Sequence, residues 1–90
     1  MYELHGFIDA YQRWCAREDP PTKWRLAAVD WAESAIAGPT IGARRAIDLP
    51  GFWWAKFVSD DRDAGTVTFE VVADTHRVNV SLISTLRLPL

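Results

Sequence analysis

Hydrophobic and polar positions alternate most regularly between Gly51 and Thr85, and that stretch predicts three antiparallel strands in one meander. The expected strands are Phe52–Ser59, Thr66–Ala73 and His76–Thr85. In the second, Val67, Phe69 and Val71 face one way and Thr66, Thr68 and Glu70 the other, the period of two that a half-buried strand requires. In the third, Val78, Val80 and Leu82 oppose Arg77, Asn79 and Ser81. β-Branched and aromatic residues dominate all three, as suits a pleated surface packed on one side.

Upstream the period changes. Leu4, Phe7, Ile8, Tyr11, Trp14 and Cys15 recur at three- and four-residue spacing, which predicts an amphipathic helix from about Glu3 to Glu18. The alternative is a short edge strand over Tyr2–Phe7 with the helix beginning near Ile8, and Gly6 favours a break there. Glu18-Asp19-Pro20-Pro21-Thr22 then ends one helix and starts another, with Asp19 or Thr22 as its cap. Trp24, Ala27, Ala28, Trp31 and Ala35 line one stripe of this second helix, with Ile36 beside it. Gly38-Pro39 stops it, the glycine placed for a left-handed residue. A connector from Thr40 leads to the turn Leu49-Pro50-Gly51. Asp60–Gly65 reads as a polar hairpin loop in which Gly65 supplies a positive φ, and Asp74-Thr75 as a tighter turn. The expected fold is therefore α+β: two N-terminal helices, with or without a short edge strand before them, packed on a three- to four-stranded antiparallel sheet.

Ninety residues, 49% of them hydrophobic, make one globular domain spanning the chain. No apolar run approaches the roughly 20 residues of a membrane span, and no secretory pattern opens the chain. The single cysteine excludes an internal disulfide and suits a reducing cytoplasm. Net charge is −2, which weighs against non-specific binding of nucleic acid, although residues 21–50 carry a local excess of +1. No cofactor or metal is expected. The carboxylates of Asp60, Asp61 and Asp63 lack the glycine and glutamate spacing of a calcium loop and read as a solvated turn.

The order of elements, with Asp48-Leu49-Pro50-Gly51-Phe52-Trp53 as loop and strand start, Thr66–Val72 as central strand and Arg77–Ile83 after the turn, resembles the RelE/ParE toxin superfamily of bacterial toxin–antitoxin systems. The resemblance covers most of the chain as a pattern and implies an N-terminal edge strand, a helical hairpin and a twisted antiparallel sheet. It also implies growth inhibition, by messenger RNA cleavage at the ribosome or by gyrase poisoning, and an antitoxin partner. Relatives that cut RNA present basic residues with a Tyr or His near the last strand. This chain offers Lys56, His76 and Arg77 as the catalytic candidates, and its C-terminal stretch Thr85–Leu90 has neither Tyr nor His.

Read from the residues alone, His76 offers an imidazole for general acid or base work, with Arg77 and Lys56 for phosphate. The competing reading leaves His76 and Arg77 as a solvated strand start. Arg44, Arg45 and Arg62 are the nucleic-acid-binding candidates. Phe52, Trp53 and Trp54 are the protein-binding candidates, because adjacent strand residues face opposite sides and one of the tandem indoles must leave the helix-covered face. A non-catalytic interaction domain, or a homodimer built on that aromatic face, is the alternative function. Cys15 beside Trp14 reads as a small core residue.

Overall fold

The computed structural model describes residues 1–59 and 63–87. It is an α+β fold in which the chain runs β1 (Glu3–His5), α1 (Phe7–Glu18), α2 (Thr22–Ala37), β2 (Arg44–Arg45), β3 (Phe52–Ser59), β4 (Asp63–Val72), a single 3-10 turn (Ala73–Thr75) and β5 (Arg77–Arg87). The sheet has five strands in the order β1-β5-β4-β3-β2, larger than the three or four expected. It is mixed rather than purely antiparallel, since β1 runs parallel to β5. The extra strands are the short outer ones. Two or three residues are too few to show a period, so β2 reads in the sequence as part of a connector.

The first segment settles as strand, then helix. Gly6 is the reason: its φ is +77°, and a Cβ there would sit 2.8 Å from the Val80 carbonyl oxygen. Only glycine takes that left-handed step so close to β5. With the helix starting at Phe7, Ile8 turns outward and is largely exposed, whereas Ala10 and Trp14 are buried. The expected stripe through Ile8 is thus rotated. The helix caps differ as well. Asp19 itself takes the left-handed conformation past α1 and pairs with Arg25 at 2.8 Å, while Pro21 occupies the cap of α2 without a side-chain bond. Gly38 has φ −163°, an extended conformation, so its place after α2 does not rest on left-handed geometry.

Both helices lie on one face of the sheet. The core joins Trp14, Trp24 and Ala28 of the helices to Ala55, Val67, Phe69, Val78, Val80 and Ile83 of the strands. Trp14 meets Phe57 edge-on at 5.7 Å, and Trp31 packs on Phe69 at 5.2 Å. Each such large side chain contributes roughly 1.5–3 kcal/mol on burial. Gly65 lies inside β4 instead of in the hairpin loop, and has no positive φ. A Cβ there would stand 2.5 Å from the Phe57 ring, so the glycine makes room for an aromatic side chain of the core.

Two β-bulges set which side chains face the helices. On β5 the register passes from Phe69↔Val80 to Thr68↔Leu82, leaving Ser81 as the extra residue. The alternation expected for this strand therefore fails after Val80: Ile83 is 1% exposed under the helices, and Leu82 is 47% exposed on the other face. On β3 the shift between Lys56 and Val58 makes Phe57 the extra residue and brings both Phe57 and Val58 against the core.

α1 also finishes the sheet. β1 pairs only with Arg77–Asn79, so most of β5 would otherwise present a bare edge. Arg17 Nη2 donates to the Ile83 carbonyl at 2.8 Å, and Arg13 reaches the Ser81 carbonyl at a longer 3.5 Å. The Glu18 carboxylate accepts the Thr85 amide at 3.2 Å, and the indole N–H of buried Trp14 donates to Thr85 Oγ1 at 3.4 Å. Side chains thus satisfy the groups that invite another strand. No helix among the described residues is long and apolar enough to cross a membrane.

Burial pushes the Tyr11 phenol above its ordinary value, Cys15 adds to the shift and Arg25 opposes it. A raised pKa in the folded state means that this group's stabilisation is complete below the unfolded tyrosine value, about 10, and is lost as pH rises through the folded one. Urea unfolding as a function of pH should therefore show an alkaline loss of stability that is smaller in Tyr11→Phe. The bulge in β5 gives a second expectation. Ile83→Asp should cost about 4 kcal/mol or more, through an uncompensated buried charge, while Leu82→Asp should stay within about 1 kcal/mol. Equal losses in chemical denaturation would contradict the bulged register.

Candidate functional site

The helices cover one face of the sheet, and alternation decides what the other face carries. Trp53 stands opposite Phe69 and Arg45, and packs against the core. Trp54 stands opposite Thr68 and Arg44, so it lies on the open face, away from the helices. The tandem indoles are thereby divided between the two faces. Phe52 shares the open face with Trp54, whereas Phe57 turns into the core at the bulge.

Each arginine of β2 covers one of these indoles. The Arg44 guanidinium carbon is 6.0 Å from the centre of the Trp54 ring, and that of Arg45 is 5.3 Å from Trp53. At exposed positions such contacts contribute about 0.5–1 kcal/mol. The two arginines are therefore not one phosphate clamp; they sit back to back on opposite faces. A groove of ≈ 350 Å³ lined by Gly42, Arg44, Trp54, Ala55 and Lys56 opens at this end of the sheet. It combines an aromatic plane with an arginine and an exposed lysine, which suits anionic or π-bearing groups.

In the cross-strand row of Phe52 the Asn79 amide donates to Glu70 at 3.1 Å. His76 takes a left-handed conformation with φ +49° and meets the Tyr2 ring edge-on at 5.3 Å. Its carbonyl accepts the Glu3 amide at 2.7 Å, which anchors β1. Arg77, exposed at the start of β5, stands opposite Val72 on β4, and Lys56 stands opposite Thr66. Six positions of β4 therefore separate them, roughly 20 Å at the usual rise of a strand. The structure brings His76 and Arg77 together at one corner and sets Lys56 with Arg44 and Trp54 at another. Arg62, Asp60 and Asp61 lie outside the described residues, as do Leu88, Pro89 and Leu90 at the C-terminal end. Among the described residues no three His, Cys, Asp or Glu side chains gather in a way that would hold a metal ion.

The Arg44–Trp54 pair was not singled out from the sequence, although its cause is visible there. The basic pair and the aromatic pair flank a segment that ends in a Leu-Pro-Gly turn, and the register of the hairpin they belong to stacks one pair on the other. Comparison with family models, with curated proteins and with solved structures finds no match.

Truncation on the two faces should carry different costs. Trp53→Ala removes side-chain packing against the core and should cost about 2–3 kcal/mol, whereas Arg44→Ala loses only an exposed cation–π contact, about 1 kcal/mol or less. Thermal unfolding of the two variants checks the assignment of faces.

Proposed function

We propose that the chain is a RelE/ParE-like toxin component that inhibits growth by binding its target through the open face of the sheet, around Arg44, Trp54 and Lys56. The observation that carries this reading is the succession of edge strand, helical hairpin and antiparallel strands, joined to an open face with a basic and aromatic end. Between the two modes that the resemblance implies, the separation of Lys56 from His76 and Arg77 favours gyrase poisoning, a binding mode, over cleavage of messenger RNA. General acid–base work needs its groups within hydrogen-bond reach of one reacting centre, and the two corners of this sheet do not meet that condition. Under this reading the protein acts in the cytoplasm and is held in check by an antitoxin-like partner.

A second reading, a non-catalytic interaction domain, is favoured by one observation: Phe52 and Trp54 share the face opposite the two helices of the described residues. Such aromatic surfaces commonly anchor protein contacts. Inducible expression in a bacterium separates the two. Growth arrest is expected, with cellular messenger RNA intact, relieved by the double variant Arg44→Ala/Trp54→Ala and retained by His76→Ala. Messenger RNA cut in the arrested cells would restore the nuclease branch. Undisturbed growth with a folded, soluble product would eliminate the toxin reading and leave the interaction domain.

A further inference from the structure

We propose that the outer edge of β3 beyond Trp54 accepts an extended segment of a partner protein in which acidic and apolar residues alternate. This goes beyond the toxin reading: it shares Arg44 and Lys56 with the surface named there, but it concerns strand pairing at an edge of the sheet and not the effect of the chain on growth.

The edge is open because β2 is short. β2 pairs with Trp53 and Trp54 alone, although β3 continues to Ser59. The Phe52 carbonyl accepts the Ala46 amide at 2.9 Å, which fixes the outward side of β3. By strand alternation Trp54 and Lys56 direct their own N–H and C=O groups to that same side. Arg44 takes up the position opposite Trp54. The chain before β2 then turns away, with the Ala43 amide donating to the Thr40 carbonyl at 3.1 Å. The backbone groups of Lys56 are thus the next to be offered to an added strand.

Both sides of this edge are grooved, and the two grooves differ in chemistry. On the open face lies the space lined by Gly42, Arg44, Trp54, Ala55 and Lys56. On the helix face lies one of ≈ 320 Å³ in which Ala27 and Trp31 of α2, Ile41 and Phe57 supply apolar wall, with Asp30 and Ser34 of α2 beside them. Gly42, Ala55 and Lys56 belong to both, and nothing stands within 4 Å of where a Cβ on Gly42 would be. A strand laid here sends successive side chains to opposite faces. Alternate residues would enter the basic groove beside Arg44 and Lys56, and the intervening ones the space beside Trp31, Ile41 and Phe57. That selects acidic residues in one set and aliphatic residues in the other.

Charge also excludes the simplest rival. Two copies of this edge would set Lys56 and Arg44 against the same cations, and a lysine on an edge strand is a recognised deterrent to self-pairing. The same cations attract an acidic strand. The bulge at Phe57 then limits the added pairing to a short length.

The probe is a synthetic peptide, acetyl-Glu-Val-Glu-Val-Glu-Val-amide, titrated into the full chain by calorimetry, with amide hydrogen exchange followed by NMR. Expected are saturable binding and slowed exchange at Lys56. Affinity should be weaker by about tenfold, one charge-assisted contact's worth, for a peptide with Lys in place of Glu. Lys56→Glu, at an exposed position, should invert that order. A peptide N-methylated at the residues that pair should not bind. Several results would overturn the proposal: no saturable binding, equal binding of the N-methylated peptide, or dimerisation of the chain through this edge in sedimentation. A single-stranded oligonucleotide that protects Lys56 while the peptide does not would assign the groove to nucleic acid and overturn it equally. Growth arrest plays no part in these readouts, so failure here is distinct from failure of the toxin reading.

Discussion

The helical hairpin roofs one face of the sheet and leaves the other bare, and the rest of the molecule follows from that one-sidedness. Trp14 and Phe69 are fully buried between the layers, with Val67, Val78 and Ile83 around them. In a chain this small the loss of one such side chain, roughly 3–5 kcal/mol for an aromatic core residue, rivals the whole margin of about 5–15 kcal/mol. Because side chains alternate along a strand, every residue committed to the roofed face places its neighbour on the bare one. The open face bearing Phe52, Trp54, Lys56, Glu70 and Asn79 is the unavoidable complement of the core. Its aromatic and basic end is what a functional account has to explain.

The sheet meets its edges in two ways. Along β5, α1 supplies the missing partners: Arg17 and Glu18 reach backbone groups that no strand occupies. α1 therefore works as a roof on its apolar side and as a cover for an edge on its polar side. Along β3, among the described residues, no strand pairs on the outer side after Trp54, where Lys56 and the bulge at Phe57 stand. This asymmetry between the edges sets the β3 side apart as the place for contact with another chain. It also lies beside the end of the open face where Arg44 meets Trp54, so one partner could engage both.

Parts of the candidate site were legible in the residues. The division of Trp53 from Trp54 follows from alternation alone, and the turn at Leu49-Pro50-Gly51 appears where its residues announce it, with Gly51 at φ +83°. The grouping of Lys56 with His76 and Arg77 was not decided there. Nearness across a sheet depends on register, and register here sets Lys56 and Arg77 six positions of β4 apart. Likewise Arg44 and Arg45 are adjacent in sequence and opposed in space, which a loop assignment conceals and a two-residue strand reveals.

Composition and local periodicity determined the α+β class, the two helices and the three long strands, because burial of a stripe or a face imprints its repeat directly on the chain. The strand over Glu3–His5, the pairing of β2 and the outward turn of Ile8 and Leu82 were decided only in the tertiary structure. Short outer strands exist because a neighbour pairs with them, and a bulge exists because two strands must match across a twisted sheet. A single residue left over at Ser81 reverses the facing of everything after it, and no local repeat records where that residue will fall.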